Sequence, residues 1–105
     1  MTTLFAPRGV TLDAAAIEAA VARYKALGDR TRLAIVAMLA DSPEPLCVCH
    51  ITERFPLEQP TISHHLGVLR QAGLIAAERH ANWVYYQLDP GAEGWVRQTL
   101  AAVPR

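Results

Sequence analysis

The chain has 105 residues, 51% of them apolar, and ten basic and ten acidic side chains that cancel to a formal charge of zero. That suits one domain with a real core and apolar surface to spare for a partner chain. No run of roughly 18 apolar residues is present to span a bilayer, and residues 1–10 lack the basic-then-apolar layout of a signal peptide, so the chain reads as cytoplasmic.

No repeats or low-complexity segments interrupt the chain. A first helix is predicted to start near Thr11, a good N-cap, with Asp13 in its first turn. Ile17, Val21, Tyr24 and Leu27 recur at helical spacing, and Gly28 ends the helix. Asp29 caps a second helix whose apolar members, Leu33, Ile35, Val36, Met38 and Leu39, cover most of its circumference, which makes it the central buried helix. Ser42-Pro43-Glu44-Pro45 is a break. Pro45 suits the first position of a third helix that runs to about Phe55, with Val48, Ile51 and Phe55 facing inward.

Pro56-Leu57-Glu58 is a short turn, and Pro60 opens a fourth helix with Ile62, Leu66 and Leu69 inward and Gly73 as its stop. Two short helices joined by a tight turn are a helix-turn-helix pattern. Residues 74–79 and 83–88 are strand candidates, the second rich in the strand formers Trp83, Val84, Tyr85 and Tyr86. His80-Ala81-Asn82 joins them, with Asn82 able to take a positive φ. A hairpin after a helix-turn-helix is a wing. Asp89-Pro90-Gly91 breaks the strand, and residues 92–102 form a last helix with Trp95, Val96 and Leu100. The fold expected is mainly α with a small β-hairpin wing: one winged helix-turn-helix domain of five helices and two strands.

These residues resemble a known family. Ala26-Leu27-Gly28-Asp29-Arg30-Thr31-Arg32-Leu33 is similar to the segment that opens the second helix of ArsR/SmtB repressors. Leu46-Cys47-Val48-Cys49 looks like the arsenic-binding box of the arsenical-resistance repressors. Gln59 to Leu66 and Leu69 to Ile75 resemble their recognition helix, and Trp83 to Leu88 their second wing strand. The resemblance spans roughly residues 24–90, and four pieces in the same order make it specific. It implies a homodimer built from the first and last helices, bound to double-stranded operator DNA with an inverted repeat. It also implies release when a toxic metalloid or metal binds. The sequence departs in having His50 where relatives often carry Asp, Thr52 where some carry a third cysteine, and no glycine at the wing tip.

The candidate DNA-reading residues are Gln59, Thr61, Ser63, His64 and His65 on the fourth helix, with Arg79 and His80 on the wing. The first residues of a recognition helix usually reach base edges, and these side chains donate and accept hydrogen bonds. Ser63 has an alternative use, bonding its own helix backbone, and Arg70 lies at the far end. Zero net charge weighs against DNA binding, which needs local positive charge. Residues 59–88 do carry Arg70, Arg79, His64, His65 and His80 against one acid, Glu78.

Cys47 and Cys49 are the only cysteines. A reducing cytosol and the short spacing disfavour a disulfide, and close cysteines there more often bind metal or do thiol chemistry. On a regular helix the two diverge by about 200°, so at most one enters the core. Bringing both to one ion would require the first helical turn to open. That would move the third helix and, with it, the recognition helix.

Soft thiolates select soft, thiophilic species, and the resemblance implies trivalent arsenic or antimony as the inducer. Inorganic arsenic needs a third bond, whereas an organoarsenical needs only the two thiolates. Zinc or cadmium would want four ligands, with His50 a possible addition. Zinc-sensing relatives carry ligands on the last helix, and residues 90–105 contain no His or Cys. The alternatives are a thiol redox or soft-metal (Cd, Pb, Zn) sensor, and a winged-helix interaction module that never touches DNA. No catalytic triad, phosphate loop or carboxylate pair stands out, so the chain is not read as an enzyme and needs no cofactor to fold.

Overall fold

The computed structural model of the protein describes residue 9 and residues 11–104, so the signal-peptide reading of the N-terminus concerns residues that lie almost wholly outside it. Helix α1 (Ala14–Leu27) is followed by α2 (Arg30–Asp41), a short strand β1 (Leu46–Cys47), α3 (Val48–Glu53), α4 (Gln59–Gln71), the hairpin β2 (Ile75–His80) and β3 (Trp83–Leu88), and α5 (Glu93–Ala101). No helix among the described residues is long and apolar enough to cross a membrane.

Local chemistry sets most of these boundaries. The Asp29 carboxylate accepts hydrogen bonds from the backbone N–H groups of Thr31 (2.9 Å) and Arg32 (3.1 Å), which satisfies two orphan donors at the start of α2. Gly73, at φ +77°, closes α4 with two backbone bonds, Gly73 N–H to Arg70 C=O (3.0 Å) and Leu74 N–H to Leu69 C=O (3.1 Å). That is the Schellman pattern, which asks for a left-handed residue at this position. Helix α1 starts two residues later than Thr11 suggested. Asp13, in extended conformation, is its N-cap.

Helix α2 is central. Ile35, Val36 and Leu39 are buried against Ile51 of α3, Ile62, Leu66 and Leu69 of α4, Leu74, Ile75 and Leu88 of the hairpin, and Val96 and Leu100 of α5. Each large aliphatic side chain so buried contributes about 1.5–3 kcal/mol relative to exposure. Arg97 ties α5 to α2 through the Ala40 carbonyl at 3.1 Å. The stripe on α1 behaves differently: Leu27 enters the core, whereas Val21 is 40% and Tyr24 58% exposed. Tyr24 meets Trp95 of α5 edge-on, with ring centres 5.3 Å apart, and the Arg23 guanidinium lies 5.1 Å from the centre of the same indole.

Three expectations need correction. The sheet has three strands, not two, in the order β1-β3-β2, with β3 antiparallel to both neighbours. Helix α3 starts at Val48 instead of Pro45, because Leu46 and Cys47 pair with Tyr86 and Tyr85 of β3 and are extended. In the two-residue wing turn it is Ala81, at φ 55°, and not Asn82, that takes the left-handed conformation.

Gly73 and Ala81 therefore respond in opposite directions to substitution. An L side chain in the left-handed region costs on the order of 1 kcal/mol. Gly73→Ala is expected to lower unfolding stability by about that amount, and Ala81→Gly to leave it unchanged or raise it by up to ~1 kcal/mol. Urea denaturation of the two variants beside wild type measures both, and a Gly73→Ala protein as stable as wild type would contradict the capping account.

Candidate nucleic-acid interface and thiol site

The polar face of α4 is open to solvent. Gln59, Thr61, Ser63 and His64 are exposed on its first two turns, opposite the buried Ile62, Leu66 and Leu69. Arg79 and His80 are exposed at the tip of the wing. His80 Nε2 lies 3.2 Å from a Glu78 carboxylate oxygen, and its ring meets Tyr85 edge-on. Arg70 is exposed at the far end of α4.

His65 is placed differently from its neighbours. It is half-buried, and its Nδ1 lies 3.1 Å from an Arg32 Nη1. Arginine only donates, so Nδ1 accepts and the ring hydrogen sits on Nε2. Arg32 Nε also donates to the Ala26 carbonyl at 2.6 Å, near the end of α1. One guanidinium thus ties the end of α1, the start of α2 and the recognition helix α4 together. Nothing in the pattern of a surface helix distinguishes His65 from His64, so this link was not readable from the sequence. Beside it, the Asp29 carboxyl is held below the usual carboxylate range, first by the Arg32 backbone N–H and further by the Arg32 charge.

The two thiol positions converge. Cys47 and Cys49 are joined by a disulfide, with Cα atoms 5.3 Å apart, inside the range that a bridge requires. The expectation that the spacing disfavours a bridge assumed a regular helix through both residues. Cys47 instead precedes the helix in an extended conformation, φ −65° and ψ 145°, so its sulfur swings back over the first turn. The Cys49 backbone N–H points at that sulfur, 3.3 Å away. Cys47 is 8% exposed and Cys49 is exposed. No helical turn has to open for both sulfurs to meet one atom.

His50 is exposed on α3 and lines the same surface recess as the cysteines. Among the described residues, no group of three or more His, Cys, Asp and Glu side chains is placed to hold a metal ion. Trp83 and Tyr85 of β3 also line that recess, a neighbourhood sequence reading missed because it turns on the β1–β3 pairing.

Comparison with known proteins places this geometry. The family model described as bacterial regulatory protein, arsR family, matches residues 29–77. An arsenic resistance transcriptional regulator of Pseudomonas putida is 42% identical over 80 residues, covering 76% of this chain and 62% of that protein. The chain therefore spans less than two thirds of that relative's length. An arsenical resistance operon repressor of Bacillus subtilis is 37% identical over 84 residues, covering 79% of each. Among solved structures, the homodimeric winged helix-turn-helix DNA-binding domain Mb0332 of Mycobacterium bovis superposes with a TM-score of 0.76 at 24% identity. It covers 90% of this chain and 88% of that one, and at that identity the likeness concerns the fold.

The Asp29 cap makes a pH prediction. A carboxyl held below its unfolded value contributes stability that is complete above that value and disappears as pH falls through the folded one. Asp29→Asn keeps the capping oxygen and removes the charge. Wild type is expected to exceed the variant in urea midpoint at pH 6, with the gap closing below about pH 4. A gap that stays constant from pH 6 to pH 3 would contradict the assignment.

Proposed function

The chain belongs to the arsR family of bacterial regulatory proteins, and we propose that it is a repressor that binds operator DNA as a homodimer and is released when trivalent arsenic or antimony bonds to Cys47 and Cys49. The observation that carries this reading is the convergence of the two sulfurs against the wing strand. Soft thiolates favour a thiophilic metalloid, and β1 hydrogen-bonds the first cysteine directly to the wing strand. The arsenical-resistance names of the P. putida and B. subtilis relatives support the same inducer class.

In this reading α4 enters the major groove, with Gln59, Thr61, Ser63 and His64 at base edges and Arg79 and His80 on the backbone or minor groove. His65 acts from behind, holding α4 against Arg32. The exposed Val21 and Tyr24 of α1, with Trp95 of α5 beside them, form the apolar face that a second copy covers. The homodimeric state of the M. bovis domain supports that use of the face.

A second reading, reversible dithiol–disulfide sensing, is favoured by one observation, the bridge itself. It predicts release by an oxidant alone.

Fluorescence anisotropy on the chain's own upstream promoter DNA tests both readings. The reduced protein is expected to bind tightly and with strong salt dependence, and arsenite to abolish binding in wild type but not in Cys47→Ser or Cys49→Ser. Arg79→Ala should reduce the slope of log affinity against log salt by about one. Thr61→Ala should cost about 1–3 kcal/mol on the operator and little on unrelated DNA. Release by diamide with no response to arsenite would transfer the assignment to redox sensing. Absence of binding to any promoter fragment would overturn the repressor reading.

A further inference from the structure

The recess beside the thiol pair has an organic wall. In the β1–β3 ladder Cys47 lies opposite Tyr85, and residues directly opposite in an antiparallel pair project to the same face. Trp83 lies two residues along from Tyr85 and projects to that face as well. Leu46, Tyr86 and Leu88 take the other face, and all three pack in or against the core. Pro43 and Pro45, ahead of β1, also line the recess. The result is an open recess of 440 Å³ lined by both cysteines, the two prolines and the two aromatic rings, together with the polar Glu44 and His50. Trp83 is 53% exposed, with no ring stacked on it among the described residues.

We propose that this recess is a subsite for the organic substituent of a trivalent arsenical, so that the ligand the thiols select is an arylarsenical in preference to arsenite. The inference rests on the thiol-site reading above and deepens it. Two thiolates leave inorganic arsenic one valence short, and no third His, Cys, Asp or Glu ligand joins the pair among the described residues. A monosubstituted arsenical already carries a carbon on that valence.

The chemistry balances without an oxidant. The bridge is first opened by a dithiol reductant, which becomes a disulfide as it delivers two electrons and two protons. The two thiols then displace two hydroxyls from an arylarsonous acid. Two As–O bonds break, two As–S bonds form, two waters leave, and arsenic stays trivalent. The aryl ring lies over the sulfurs toward Trp83 and Tyr85, where aromatic contact and removal of apolar surface from water favour it.

Phenylarsonous and methylarsonous acids each need only two thiolates, so their competition isolates the recess from the valence effect. The reduced full chain is mixed with equimolar amounts of both, and native mass spectrometry reads the ratio of phenyl to methyl adduct. Dithiothreitol sets the baseline. Wild type is expected to favour phenyl about tenfold beyond that baseline. Trp83→Ala should return the ratio close to baseline, and Trp83→Phe should keep most of it. Trp83 is exposed at the strand's start, so neither variant threatens folding. A baseline ratio in wild type, or a Trp83→Ala ratio equal to wild type, overturns the subsite and leaves the thiol site standing. If Trp83→Ala weakens DNA binding while the adduct ratio holds, the ring serves DNA and the proposal fails. Absence of any adduct on the reduced protein overturns the thiol site together with its subsite.

Discussion

The pairing of two residues, Leu46 and Cys47, with Tyr86 and Tyr85 determines how the two cysteines are presented. Without it, α3 would begin at Pro45, and the cysteines would point to opposite sides of a helix. With it, Cys47 is extended, its sulfur turns back over α3, and the two cysteines meet. The same pairing places the thiol pair against the wing strand, so Trp83 and Tyr85 become its neighbours. One short ladder fixes the site, its surroundings and its mechanical connection.

A second link organises the DNA-facing side. Asp29 caps α2 and lies beside Arg32, while Arg32 reaches both the Ala26 carbonyl and His65. The end of α1 and the middle of α4 are therefore held by one side chain. Helix α1 carries the apolar face assigned to the dimer contact, and α4 carries the polar face assigned to DNA. The Arg32 bridge is a polar link between them. In the proposed dimer it would give a rigid relation between subunit spacing and the reading helix, which a protein bound to two half-sites needs.

The fold was legible wherever one residue type has one local use. Asp29 as a cap, Gly73 as a left-handed stop, Pro60 in a first helical turn and the aromatic run of β3 each announce a boundary, and each stands where the sequence put it. The core stripe of α4 was equally plain. Legibility ended where a long-range partner decides. Two residues are too few to show the alternation of a strand, so β1 was invisible and Pro45 was read as a helix start. Ala81 has no local preference for a positive φ. It takes one because the flanking strands fix a two-residue turn, whereas Asn82 carried the stronger local signal. The two cysteines stand out in the sequence as a close pair; their convergence does not, because it depends on partners 38 and 40 residues along the chain, Cys47 with Tyr85 and Leu46 with Tyr86.

That β1 is so short bears on how a thiol event could reach DNA. A coupling element needs two arrangements of similar free energy, biased by the ligand. A two-residue ladder contributes on the order of one or two backbone hydrogen bonds, each about 0.5–1.5 kcal/mol net. Replacing a sulfur–sulfur bridge or a pair of thiols with two bonds to one larger atom changes the distance between Cys47 and Cys49. The strain of that change falls on the weakest neighbouring contact. Helix α3 is anchored by fully buried Ile51, and the β2–β3 hairpin by six paired positions. The β1–β3 pairing has neither. In the proposed reading it is the contact that would yield first, and it would free one edge of the strand that carries the wing. An opening route through α3 would instead have to disturb the core around Ile51, Ile62 and Leu66, at a cost several times larger. Under the proposed function the strand route would ask less free energy of the ligand and would act on an element already in the DNA-facing half of the domain.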